Sequence, residues 1–179
     1  MAYLENKAVK AGFRLVEYSI QATHLHLICE ADNEAALSRA MNGLMSGIAR
    51  ILNRHWNRKG PVFVDRYHAE ILKTPSQCLN ARRYVLHNAR KHGALARLSS
   101  VDPYSTAPWF PFTKRRIDRR TDELAERPVP RPDDRCPPGQ AKPAAHPGTW
   151  ILRAGWKRAG PIYHDDHPAI PTQRRSRRV

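Results

Sequence analysis

From Phe13 to Glu30 the chain is patterned for strands, and from Leu37 to Trp56 its apolar residues recur at three- and four-residue steps. That change of period separates a predicted β-hairpin from a predicted helix. Phe13–Ile20 reads as one strand, Gln21-Ala22 as a turn and Thr23–Glu30 as the returning strand, while Ala2–Ala11 reads as the last turns of a helix closed by Gly12. Asp32 or Asn33 is placed to cap the long helix. Its stripe of Leu37, Met41, Leu44, Ile48, Leu52 and Trp56 extends over about six turns. Lys59-Gly60-Pro61 breaks it, and Val62–Val64 with Tyr67–Leu72 has the composition of a further strand. Thr74-Pro75-Ser76-Gln77 then combines an N-cap, a proline suited to the first helical position and a glutamine able to complete a capping box. The helix it starts is expected to run through His92 and stop at Gly93.

Composition narrows what such a unit can be. With 179 residues and 41% apolar content there is material for one modest core. A net charge of +15 and a pI near 10.5 favour a polyanionic partner, nucleic acid before a membrane surface. No apolar run is long enough to span a bilayer and the first residues lack the regions of a signal peptide, so a cytoplasmic protein without membrane association is expected. Cys29, Cys78 and Cys136 are scattered and odd in number, which points to inert thiols. Thirteen of the 15 prolines lie beyond residue 100. They divide the chain into a folded unit over 1–98, a proline-rich irregular linker over 99–147, and a segment over 148–179 that holds one short amphipathic helix and a basic tail. That short helix is expected to pack loosely.

Two stretches carry the candidate chemistry. In a strand, His24 and His26 project from one face about 6.6 Å apart at their Cα atoms, while Leu25, Leu27 and Cys29 line the other. Two imidazoles at that spacing can hold one metal ion. On the second helix, Tyr84 and Asn88 are one turn apart and offer a phenol and an amide oxygen. Two histidines and one oxygen would leave positions open on a divalent cation, Mg²⁺ or Mn²⁺, next to a phenolate able to attack a phosphodiester. Arg39, Arg50 and Arg54 on the first helix, and Arg82, Arg83, Arg90 and Lys91 on the second, are the candidate phosphate contacts.

The His-hydrophobic-His strand, Ala35–Arg39, Asn53-Arg54, Gly60–Tyr67 and Tyr84–Asn88 together resemble the single-tyrosine HUH transposases. Within them the chain looks closest to the REP-associated tyrosine transposases and their insertion-sequence relatives, over about residues 12–93. The resemblance implies that His24 and His26 are the metal-binding pair, Tyr84 the nucleophile and Asn88 the third ligand. It implies an α+β, ferredoxin-like antiparallel sheet with helices on one face, often dimeric, cutting and rejoining single-stranded or hairpin DNA through a 5′-phosphotyrosine. Domains of this kind open with a strand and a helix, so a central strand is expected to be missing here. Two other readings stay open: a catalytically inactive DNA- or RNA-binding remnant, and a metal-dependent hydrolase of other phosphodiesters in which Tyr84 is structural.

Overall fold

The computed structural model describes residues 9–91, 101–117, 124–128, 142–163 and 166. Strands β1 (Val9–Lys10), β2 (Phe13–Ile20) and β3 (Leu25–Ala31) form an antiparallel sheet in that order. Val9 and Lys10 thus belong to a strand, not to the helix expected there, and the rest of that expectation, over 1–8, falls outside the described residues. Gly12 is the reason: with φ at +72° it lets the chain turn back so that Lys10 pairs with Phe13. A Cβ at Gly12 would also lie 2.9 Å from Asp32 Oδ2.

The β2–β3 hairpin forms as its alternation implies, with Ile20 opposite Leu25 and Phe13 opposite Ala31. Its register shifts between Leu15 and Glu17, so Val16 is an extra residue, a β-bulge. The bulge resolves a conflict in the sequence, because Phe13 and Leu15 are out of phase with Tyr18 and Ile20. With Val16 inserted, all four reach one face of the sheet, where α1 (Glu34–His55) packs Ala40, Met41 and Leu44 against them. Val16 and Ile28 reach the opposite face, against Cys78, Leu79, Val85 and Leu86 of α2 (Pro75–Leu86). The fold is therefore α+β, an antiparallel sheet with helices. Those helices divide between its two faces, where the sequence reading put them on one.

Both helices start as their caps predict. The Asn33 side chain accepts a hydrogen bond from Ala36 N at 2.9 Å. Thr74 and Gln77 form a capping box, with Gln77 N donating to Thr74 Oγ1 at 3.2 Å and Thr74 N donating to Gln77 Oε1 at 3.1 Å. Beyond Gly47 the apolar surface under α1 runs out, and Ile51 and Trp56 stay exposed. The predicted continuous helix through His92 is interrupted. His87 caps α2, its ring Nδ1 lies 3.0 Å from the Arg83 carbonyl, and a short α3 (Asn88–Lys91) follows. His92 and Gly93 are outside the described residues.

Two expectations are overturned. The segment from Val62 to Leu72 forms no strand; it is irregular and mostly exposed, with Val64 at 96% and Ile71 at 75%. Strand composition needs a neighbour to pair with, and among the described residues this segment makes no backbone–backbone hydrogen bond. Residues 101–117 and 142–163 do not behave as a linker and a loosely attached helix. Ala107, Phe110 and Phe112, with Leu152 of α4 (Trp150–Arg153) and Trp156 and Ile162 beyond it, complete the core over α2. Ala145 N donates to Leu15 O at 2.8 Å and Thr106 N to Tyr18 O at 3.0 Å, so both stretches edge β2 as well. Strands β4 (Thr113–Ile117) and β5 (Leu124–Pro128) make a separate hairpin.

Candidate active site

The site is assembled from β3 and α2. His26 projects from β3 to the α2 side, two residues before Ile28 on the same face. His24 precedes the strand, held by a hydrogen bond between its Nδ1 and Thr23 Oγ1 at 3.1 Å. The two rings lie 4.8 Å apart, nearly perpendicular, which is the side-by-side placement their spacing predicts. From the other side comes Tyr84, in the last turn of α2, whose ring stands edge-on to His26 at 4.9 Å. Residues 58 apart in sequence thus meet at one point.

Asn88 is placed differently from its neighbours. It is fully buried at the start of α3, and neither its amide oxygen nor its nitrogen has a hydrogen-bond partner. Leaving a buried amide unpaired costs about 1–3 kcal/mol, so this group is suited to an additional partner. Among the described residues no three His, Cys, Asp or Glu gather around one point. A cation here would rest on the histidine pair and a neutral oxygen, and the orphaned Asn88 oxygen is of the right kind.

The candidate phosphate contacts separate into distinct environments. Arg39, Arg50 and Arg54 are exposed on α1. Arg82 is 4% exposed, so it is removed from the set available to a nucleic acid. Its Nη2 pairs with Glu17 Oε1 at 3.1 Å, and its guanidinium lies 5.0 Å from the Trp156 ring and 5.7 Å from that of Phe110. Arg83 pairs with Asp166 at 2.8 Å and donates to the Pro161 carbonyl at 3.2 Å. The side chains of Arg90 and Lys91 lie outside the described residues. His87 packs its ring on Phe112 at 5.2 Å, which makes it part of the core.

Sequence reading missed the buried polar cluster behind the site. Glu17 accepts from Arg82, from Thr106 Oγ1 at 2.6 Å and from Lys142 Nζ at 3.5 Å. Burial pulls the Lys142 ammonium below its ordinary pKa, against the opposing pull of Glu17. An acid amid the apolar residues of β2 was the available signal. Asp102 is a second such group: burial raises its carboxyl above the usual range, although Tyr104 N, Ser19 Oγ and Gln21 Nε2 all donate to it. At Glu30 burial acts upward too, but hydrogen bonds from Thr149 and Gly148 with the nearby Arg14 leave the carboxyl below its ordinary value. The Cys29 thiol is pushed up to about 12 by burial, in keeping with an inert cysteine.

Against this geometry the relationship to known proteins is specific. Residues 1–88 match the family of IS200-like transposases, a span holding His24, His26, Tyr84 and Asn88. This part of the chain belongs to that family. A transposase-like function, with DNA as the partner, follows at the level of the family, whose members generally use a divalent metal. No curated protein and no solved structure matches the chain. Among the described residues no helix is long and apolar enough to cross a membrane.

Proposed function

We propose that this transposase-like chain cleaves and rejoins single-stranded or hairpin DNA, with Tyr84 as the nucleophile. The observation that carries the reading is the meeting of His26 and Tyr84 at 4.9 Å from remote elements. In the reaction the Tyr84 oxygen bonds to phosphorus, the bond from phosphorus to the 3′ oxygen breaks, and that oxygen leaves with a proton as a free 3′-hydroxyl. A 5′-phosphotyrosine keeps the phosphodiester count unchanged, so the reverse attack by a 3′-hydroxyl rejoins a strand. His24, His26 and Asn88 would hold the divalent cation, Mg²⁺ or Mn²⁺, which when bound withdraws charge from the scissile phosphate. A phenol is a weak nucleophile at neutral pH, and the edge of the His26 ring is placed to orient it. Arg39, Arg50 and Arg54 supply phosphate contacts from α1, on the far face of the sheet from Tyr84. A DNA strand touching both therefore turns around an edge of the sheet.

The test is a covalent trap. Labelled hairpin-flanked single-stranded DNA with Mg²⁺ or Mn²⁺ should give a protein–DNA adduct that survives denaturing electrophoresis. Tyr84→Phe should abolish it while leaving DNA affinity within about twofold, since only a hydroxyl is lost. An undiminished adduct from Tyr84→Phe would assign the chemistry to another residue. A second reading, a DNA- or RNA-binding remnant without catalysis, draws on the Tyr67–Leu72 segment standing outside the sheet beside the site. Salt-dependent binding with no adduct from the wild-type chain would favour it, each phosphate contact on a single strand contributing about 0.7 to the log–log slope.

A further inference from the structure

Strand β3 is the edge of its sheet. One side pairs with β2 along its whole length; on the other, no backbone group of Leu25–Ala31 is bonded to a further described residue. Across a cleft of about 1480 Å³ from this edge lies Tyr67–Leu72, which has strand composition and no backbone partner among the described residues either. Two unpaired stretches of backbone with a cleft between them resemble a sheet from which one strand has been withdrawn, and an open edge recruits strands. Ile71, 75% exposed, and Leu37 line the cleft and offer apolar contact to what enters.

Charge decides what kind of polymer fits. Glu30, Asp32, Glu34 and Glu70 line the cleft, against the guanidinium groups of Arg14 and Arg83, in a chain whose net charge is +15. A phosphate backbone is disfavoured beside four carboxylates, whereas lysines are favoured. We propose that the cleft is a docking slot for one extended polypeptide strand of a partner, basic and with apolar side chains at alternate positions, which pairs with the free edge of β3. Such β-augmentation takes its affinity from main-chain hydrogen bonds and its selectivity from alternate side chains. His26 and Tyr84 line the same cleft, so the inserted strand runs beside them. The inference does not depend on the role given to Tyr84, because its partner is a polypeptide and its test contains no DNA.

The probe is a fluorescein-labelled ten-residue peptide of alternating lysine and valine, titrated with the full chain by fluorescence anisotropy. General charge attraction cannot produce a signal, since both molecules are cationic. Saturable binding is expected, together with at least tenfold slower hydrogen exchange at amides of Leu25–Ala31 and Tyr67–Leu72. N-methylation of alternate peptide amides, on the edge that faces β3, should weaken binding tenfold or more. Glu70→Lys, a change at an exposed position that leaves folding intact, should do the same. No saturable binding, equal binding by the N-methylated peptide, or protection confined to other segments overturns the proposal. So does an oligothymidylate that protects the Leu25–Ala31 amides when the peptide does not, for the cleft would then belong to nucleic acid.

Discussion

The two faces of the central sheet are built on opposite principles. Toward α1 the sheet presents Phe13, Leu15 and Tyr18 to Ala40, Met41 and Leu44, an apolar contact with no charged member. Toward α2 the apolar residues Val16, Ile28, Leu79 and Val85 share the interface with Glu17, Arg82, His26 and Tyr84. The first face is held by burial alone, at about 25 cal/mol per Å² of apolar surface. The second contains groups whose burial is costly unless paired, and these hold the C-terminal region in place through Thr106, Lys142 and Trp156. Chemistry sits on the face that is less favourable to bury, because a reactive site needs polar groups held in a fixed arrangement.

Removing Arg82 should break this contrast most severely. Arg82→Ala leaves Glu17 buried without its closest partner and empties the space beside Trp156, so a loss of about 3–5 kcal/mol is expected in chemical denaturation. Arg82→Met, which keeps most of the volume, should cost clearly less; equal losses would mean that the charge pair is irrelevant. On the apolar face, Leu44→Ala should cost about 2–3 kcal/mol through lost burial and a cavity. Any Tyr84-dependent adduct should persist in that variant under conditions where it remains folded. A loss of the adduct in folded Leu44→Ala would show that the two faces are not separable.

The smallest effect concerns Asp102. Its folded pKa is raised above the unfolded value, so its contribution to stability is full below the unfolded pKa, near 4, and is lost as pH rises through the folded pKa. Asp102→Asn removes this dependence. The variant should be the more stable at pH 7, with the difference shrinking as pH falls toward 4. A difference that grew on acidification would reverse the sign and show a carboxylate stabilised by its three donors.

How far a residue was legible depended on whether its signal was local. Asn33 and Thr74 cap the helices they were expected to cap, since a cap depends on groups three residues away. His24 and His26 fall together because neighbouring residues of a strand fix their relation. Arg82 was misjudged because an arginine in a basic helix looks solvated until its partners are known, and those are Glu17, 65 residues earlier, and Trp156, beyond the proline-rich region. Tyr67–Leu72 was misjudged in the opposite sense: its pattern suits a strand, but a strand exists only where another offers its edge.

By itself, then, the sequence determined the period of each segment, the ends of α1 and the start of α2, the excess of positive charge, and the residue types gathered for phosphodiester chemistry. Each of these follows from interactions within a few residues or from a sum over the chain. The tertiary structure alone decided which face of the sheet each helix covers, where the Val16 bulge brings two apolar phases together, and which charges are buried. It also decided that residues beyond 100 close the core over α2, and that β3 keeps an open edge beside His26 and Tyr84. Those outcomes depend on which surfaces are left for a segment to pack against or pair with, a property of the whole assembled chain and not of any stretch of it.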